Sequence, residues 1–350
     1  MAESSPTYFC AMTALQDKLN FLRKLSLRRV LNMGHVWLSF HWARWRGRPG
    51  VPGMPIGMSI EPTTACNLGC PECPSGLKKF TRPTGNLRPD LFDRLLDQAA
   101  PTLTWLTFYF QGEPFIHPAF TDLVRKAADR GIYTATSTNA HFLSPETAEA
   151  AVRSGLDRII ISIDGTTQEV YEQYRVHGRL DKVLQGTRNL LEARQRLGSR
   201  TPYVVFQFLV VAPNEHQVEE VKELGRAMGV DEVKFKTAQV YDYENGNPLI
   251  PNNPRYSRYK RQADGKCRIK NKMLNQCWRM WQGCVVTWDG LVVPCCFDKD
   301  ATHRMGDLKS QSLDEIWRGQ KYLDFRAKIL HSRKEIDICA NCTEGTQVWA

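Results

Sequence analysis

The opening residues, Met1-Ala-Glu-Ser-Ser-Pro-Thr, hold no basic stretch running into an apolar one, so they do not read as a signal peptide. No window reaches the roughly 18–20 apolar residues that a membrane span needs. Without a secretory signal, disulfides are not expected, although the 350 residues include eleven cysteines. The better reading is intracellular thiols used as metal ligands, in a cytoplasmic protein. The loop Cys66-Asn67-Leu68-Gly69-Cys70-Pro71-Glu72-Cys73 in turn lacks a fourth cysteine. A structural zinc takes four protein ligands, whereas a cubane iron–sulfur cluster has four irons to cap. Three thiols therefore suggest a [4Fe–4S] cluster with one iron left open to a small molecule. Hydrophobic content of 42% and charged content of 24% are ordinary for a globular protein. The net charge of +10 is spread out, with local excesses in the first 50 residues and from Arg255 to Lys272. Charge alone admits nucleic acid, anionic lipid or an acidic substrate.

Residues 1–54 form a basic, aromatic-rich helical segment. Leu15, Leu19, Leu22, Leu25, Leu27 and Val30 recur at roughly helical spacing among basic residues. Trp37, Phe40, Trp42 and Trp45 then interleave with His41, Arg44, Arg46 and Arg48. The favoured reading is a helix capping the bottom of a barrel, with the tryptophans as core. The alternative is an interfacial helix giving residues 15–48 a peripheral membrane contact. Nucleic-acid binding ranks third.

From Pro55 the pattern alternates between strands and helices. Strands are expected at Ile56–Glu61, Trp105–Phe110, Ile132–Thr136, Arg158–Ile163, Tyr203–Val211 and Glu232–Lys236. The intervening stretches have helical spacing, and Ser144-Pro145 supplies an N-cap serine with a first-position proline. Short apolar strands joined by helices imply a parallel sheet buried on both faces. A doubly wound sheet and an incomplete (β/α)6 barrel fit this pattern equally. Residues 242–275 are polar and read as a linker or lid loop. A smaller region follows over 276–350.

The CxxxCxxC loop directly after the first strand is similar to the signature of the radical S-adenosylmethionine (SAM) superfamily. Three further strand ends carry the same resemblance. Gln111-Gly112-Glu113-Pro114 resembles the family's Gly-Gly-Glu segment, which holds the SAM amine. Ser137-Thr138-Asn139 resembles its Thr-Asn-Gly segment, with Ala140 in place of glycine. Ser162-Ile163-Asp164-Gly165 matches a strand end that lines the SAM pocket. Arg175 resembles an arginine that pairs with the SAM carboxylate. Two positions depart from the pattern: Glu72 replaces a usually aromatic residue, and Gln111 replaces a glycine. The resemblance selects the partial barrel, over residues 55–241, and implies Cys66, Cys70 and Cys73 as cluster ligands. It also implies a flavodoxin- or ferredoxin-type reductant. The family's chemistry is reductive SAM cleavage to a 5′-deoxyadenosyl radical, which takes a substrate hydrogen.

Downstream, Cys277, Gly290 with Cys295, and the Cys339-Ala-Asn-Cys342 knuckle resemble the SPASM/twitch extension of that family. Trp288-Asp289-Gly290 reads as a hairpin turn. A full SPASM domain carries more cysteines after the knuckle; here none follows Cys342. One auxiliary [4Fe–4S] cluster is therefore expected, closed by Cys277, Cys295, Cys339 and Cys342. Cys284 is a rival ligand, Cys267 and Cys296 less so. Cys10 and Cys296 suit buried, inert thiols. A four-cysteine zinc is the plainer alternative for this region.

A closed second cluster favours net oxidation. The cysteine order most resembles the twitch-type aminocyclitol dehydrogenases, which implies oxidation of a sugar- or cyclitol-type alcohol. A peptide- or protein-modifying maturase is the alternative, although residues 1–54 carry no readable winged-helix pattern. A reading from another class is a zinc- or cluster-stabilised binding protein with no catalytic role. No residue stands out as catalytic acid or base; Tyr241, Asp242, Tyr243, Glu244 and Asp298 are placed to face a substrate.

Overall fold

The apolar runs become parallel strands at the expected places: β1 (Gly57–Ile60), β2 (Trp105–Thr107), β3 (Tyr133–Thr138), β4 (Arg158–Ser162), β5 (Tyr203–Val210) and β6 (Glu232–Thr237). They lie side by side in chain order, all parallel. A doubly wound sheet reverses its strand order at a switch point. This one never does, so it curls as a partial barrel. The computed structural model describes residues 6–50 and 53–345, the side chains of 6–13 excepted, so the Cys10 thiol lies outside what is described.

Burial explains why the strands read as unbroken apolar runs. On β5, Val204, Phe206 and Phe208 pack outward under the helices, while Tyr203 and Val205 fill the inner face; all are buried. The helices cover the outer face through apolar stripes such as Leu91, Phe92, Leu95 and Leu96 of the helix Pro89–Ala99. The helix Pro145–Arg153 begins as its sequence implies, with the Ser144 hydroxyl accepting from the Thr147 amide.

The polar stretch 242–275 is not all loop. It folds back as an antiparallel hairpin, β7 (Tyr259–Arg261) with β8 (Cys267–Ile269). Tyr259 and Cys267 are buried there. Only three residues per strand, alternating with Lys and Arg, carry too little apolar pattern to announce themselves.

The C-terminal region extends the same sheet. β9 (Gly283–Val286) pairs in parallel with β1, β10 (Leu291–Val293) returns antiparallel beside it, and β11 (Gly306–Asp307) forms the edge. The Trp288-Asp289-Gly290 turn joins β9 to β10. The approach to β1 requires glycine: a Cβ on Gly283 would lie 1.8 Å from the Gly57 carbonyl oxygen. A buried bidentate pair locks this contact. Arg82 donates to both Glu61 oxygens at 2.8 and 2.6 Å, and Glu61 also accepts from the Trp288 amide.

At the opposite end, helices α1 (Pro6–Arg23) and α2 (Leu27–Arg46) close the bottom of the barrel. Asp17 accepts from Tyr133 Oη at 2.5 Å and from Arg158 at 2.7 Å. Phe21 packs on Trp105 and Tyr133. Arg29, buried on α2, donates to the carbonyls of Lys24, Ala100, Arg130 and Gly131. The capping position is therefore as expected, but the tryptophans are not core. Trp37, Trp42 and Trp45 are exposed, and Phe40 fills the inner position against Trp278 and Trp281. Helical spacing cannot tell which of two apolar faces has a partner.

Candidate active site

The three-cysteine loop leaves the C-terminal end of β1, the end where β/α barrels place their chemistry. It is pinned from three sides. Ala65 O accepts from the Glu113 amide, Val176 O accepts from the Gly69 amide, and Glu72 accepts from the Tyr241 amide. Glu72, where the family pattern has an aromatic residue, thus ties the loop to the end of the barrel at Tyr241, while Lys299 of the C-terminal region donates to the Glu72 carbonyl. The thiols sense one another: burial raises the Cys66 pKa to about 12, and the Glu113, Cys73 and Cys70 charges add to it. Arg175 Nη1 donates to Cys70 Sγ at 3.7 Å. A cavity of about 590 Å³ opens beside Cys66, bordered by Phe80, Thr84 and Asn86.

The strand-end motifs converge on this loop. Gly112 has φ +77°, and a Cβ there would lie 2.1 Å from the Thr63 carbonyl oxygen, so only glycine fits. Glu113 is buried. Its carboxylate accepts from Thr138 Oγ1 and the Asn139 amide, both at 2.7 Å, and from the Phe115 amide at 3.2 Å. One lone-pair position of four is left over. Asn139 reaches back to Asn67 in the cysteine loop at 2.8 Å. Asp164, fully buried, accepts from Arg175 Nε at 2.5 Å and from the Leu209 amide. Arg175 thus bridges Asp164 to Cys70. Ser137 and Ser162 share the inner face of β3 and β4, and Gln111 lies within 3.8 Å of Cys73 Sγ.

Burial raises the Glu113 pKa to about 7, against the hydrogen bonds from Asn139, Thr138 and Phe115. Its folded-state pKa thus exceeds its unfolded value. The associated stability is fully present below the ordinary carboxylate range and is lost as pH rises to about 7, a drop of roughly 3 kcal/mol. Thermal melts of the wild-type chain without SAM should show that loss between about pH 4.5 and 7. Glu113→Gln should flatten the profile. An equal slope in the variant would show that Glu113 does not titrate there.

The second cysteine set gathers around Arg333. Cys277 raises the thiol pKa of Cys295, Cys339 and Cys342, so the four lie within electrostatic reach. Arg333 is fully buried and donates to Cys342 Sγ at 3.2 Å, while its Nε has no partner among the described residues. An orphaned guanidinium N–H on a side chain that interacts with Cys277, Cys339 and Cys342 fits an anionic thiolate-ligated group. Among the described residues, no three His, Cys, Asp or Glu side chains stand close enough to hold a single ion. Tetrahedral zinc at about 2.3 Å from each sulfur demands such closeness; a cubane spreads its thiolates over a larger body. Cys284 lies elsewhere, hydrogen-bonded to Tyr322 beside Arg326, and Cys267 packs in the apolar cluster beneath the first loop. Cys296 is not an inert thiol: it is hydrogen-bonded to Cys295 and faces Arg279, which pull its pKa down.

Beside the second cysteine set lies a polar lumen that the residue types did not announce. Tyr109, Lys236, Arg279 and Glu344 interact across it. A pocket of about 90 Å³ there is lined by Ser59, Trp105, Arg279, Cys295 and Cys296. Lys236 is solvent-accessible and forms no ion pair within 4 Å among the described residues, yet the surrounding protein pushes its pKa down. β6 is the edge of the sheet and, among the described residues, pairs only with β5, so what places Lys236 in the lumen is its interaction with Arg279 and Glu344, legible only once the fold is known. Of the other residues placed to face a substrate, Tyr241 is exposed, Tyr243 stacks on Tyr259, and Asp298 caps its own turn through Thr302 and His303.

These features define a class. The radical SAM superfamily model matches residues 60–231, and the SPASM iron–sulfur cluster-binding domain matches 277–343. The chain belongs to the radical SAM superfamily, with a C-terminal SPASM domain, and its cofactors are [4Fe–4S] clusters and SAM. It is 26% identical over 310 residues to the tungsten-containing aldehyde ferredoxin oxidoreductase cofactor-modifying protein of Pyrococcus furiosus, covering 76% of this chain and 82% of that one. It is 24% identical over 282 residues to the PqqA peptide cyclase of Ruegeria pomeroyi, covering 75% and 74%. Among solved structures, BtrN in complex with AdoMet and 2-DOIA shares the fold at a TM-score of 0.52 and 18% identity, over 83% of this chain and 94% of that one.

Proposed function

We propose that this chain is a radical SAM oxidoreductase that oxidises a peptide or small acid bound in the lumen beside its second cysteine set. Cys66, Cys70 and Cys73 would hold the cluster with the open iron. Cys277, Cys295, Cys339 and Cys342 would hold one closed auxiliary cluster. When bound, the clusters and SAM supply a 5′-deoxyadenosyl radical for hydrogen abstraction and a sink for the remaining electron.

The protein supplies position, charge and exclusion of water. The free lone pair of Glu113 suits the SAM amine, and the Ser137 and Ser162 hydroxyls suit its ribose or carboxylate. Arg175 balances the charge of the cysteine loop. The observation that carries the substrate class is Lys236, an accessible ammonium in the lumen that forms no ion pair within 4 Å among the described residues, Glu344 acting on it only at longer range. It suits a carboxylate on the substrate and disfavours an amine. The peptide reading also agrees with the PqqA peptide cyclase relative. A second reading, oxidation of a cyclitol-type alcohol, is favoured by the single four-thiol auxiliary set among the described residues. A flavodoxin- or ferredoxin-type protein would deliver the electron.

The test is anaerobic purification followed by reduction in the presence of SAM. About eight irons per chain and release of 5′-deoxyadenosine are expected. A colourless zinc protein inert to SAM would refute the reading. With a substrate in hand, Lys236→Gln should raise KM while leaving substrate-free SAM cleavage unchanged.

A further inference from the structure

Of the fourteen large apolar side chains exposed among the described residues, ten lie between Leu15 and Trp45. They are not scattered. On α2, Leu27, Leu31, Leu38, Trp42 and Trp45 fall along one stripe. The buried residues Arg29, Asn32, Val36, Phe40 and Ala43 fall along another. At 100° per residue the two stripes point about 155° apart. The helix thus has two apolar faces: one packs under the barrel, and the other faces solvent. Leu15, Leu19 and Leu22 are exposed on α1 as well.

Charge says what covers this face. Between residues 14 and 50 the only acidic residue is Asp17, and it points into the barrel. Lys18, Arg23, Arg28, Arg44, Arg46 and Arg48 are all exposed. Arg28 and Arg46 both stand about 75–80° from the exposed stripe, on its shoulder, where snorkelling cations meet headgroups. Arg46 lies over the Trp42 and Trp45 rings, 4.8 and 5.3 Å from their centroids. A groove of about 590 Å³ beside the stripe is lined by Leu27, Leu31, Arg28 and Arg318. A second copy of this chain would bring like charges together. A nucleic acid would pair with the cations but leave the leucines in water. An anionic bilayer satisfies both sets.

We propose that α1 and α2 seat the protein on an anionic membrane surface, with α2 lying in the interface plane. No described helix is long and apolar enough to cross a membrane, so the contact is peripheral. Because α1 and α2 close the bottom of the barrel, the three-cysteine loop at the other end faces away from the bilayer. The inference does not depend on how the catalytic site is read.

The test is sedimentation of the full-length, cluster-loaded protein with vesicles. Phosphatidylcholine vesicles with about 30% phosphatidylglycerol should bind it on the order of 100-fold more tightly than phosphatidylcholine alone. Trp42→Ser with Trp45→Ser should lose most of that binding. Arg44→Glu with Arg46→Glu should abolish the preference for the anionic lipid. All four side chains are exposed, so the variants should melt like wild type. Three results would overturn the proposal. One is no vesicle binding. Another is vesicle binding unchanged by the tryptophan variant. The third is a dimer in solution that the tryptophan variant dissociates, which would give the face to a second copy.

Discussion

Replacing Cys70 by alanine should leave a folded protein that no longer cleaves SAM. Cys70 is 5% exposed, and its thiol faces Cys66, Cys73 and the Arg175 guanidinium. On the proposed ligand set the site has no spare thiol, so losing one would leave two irons uncapped. Changing an outer-shell partner of a metal ligand already costs about 10–100-fold. Losing the ligand itself should cost more, taking 5′-deoxyadenosine release down to background. Iron content should fall by about four per chain, the content of one cubane. The fold should survive, because Arg175 stays paired with Asp164 and the loop keeps its backbone ties to Glu113 and Val176. Cys267→Ala is the control. Cys267 is 3% exposed in the same apolar cluster but lies on β8, outside the loop. That variant should keep both its iron and its SAM cleavage. Background-level cleavage in both variants would mean that the cluster of apolar side chains, not ligation, sets activity.

Much of this arrangement was legible because its signals are local. The run Arg158–Ser162 is β-branched over three consecutive isoleucines, and a strand buried on both faces needs that composition. The Ser144-Pro145 cap and the CxxxCxxC spacing act within a few residues. What stayed hidden depends on partners far apart in the chain. The Glu61–Arg82 pair, the docking of β9 on β1 and the lumen position of Lys236 all follow from tertiary placement. Their residue types alone suit a surface equally well. Trp42 and Trp45 show the same limit from the other side. Their spacing marks an apolar face, but only the structure shows that α2 has already used its opposite face for the core.

The auxiliary set invites a different result, a separation of two activities. Cys339→Ala should retain substrate-free SAM cleavage within a few-fold and lose product formation. Cys339 is 8% exposed beside Cys277, Cys342 and Arg333, and burial raises its thiol pKa to about 12. Binding iron would remove this thiol's proton outright, overriding the cost that burial places on the thiolate. With alanine there the second site keeps three thiols, and iron content should fall toward about four per chain. The first site should not notice. Its attachment to the C-terminal region runs through β1–β9 pairing, the Glu61–Arg82–Trp288 contact and the hydrogen bond from Lys299 to the Glu72 carbonyl, none of which involves a thiol. Cys284→Ala is the matched control. Cys284 is equally buried but serves Tyr322, so that variant should keep its iron and both activities. Parallel loss of cleavage and product in Cys339→Ala would refute an electron-accepting role and make the second set a structural clasp for the sheet.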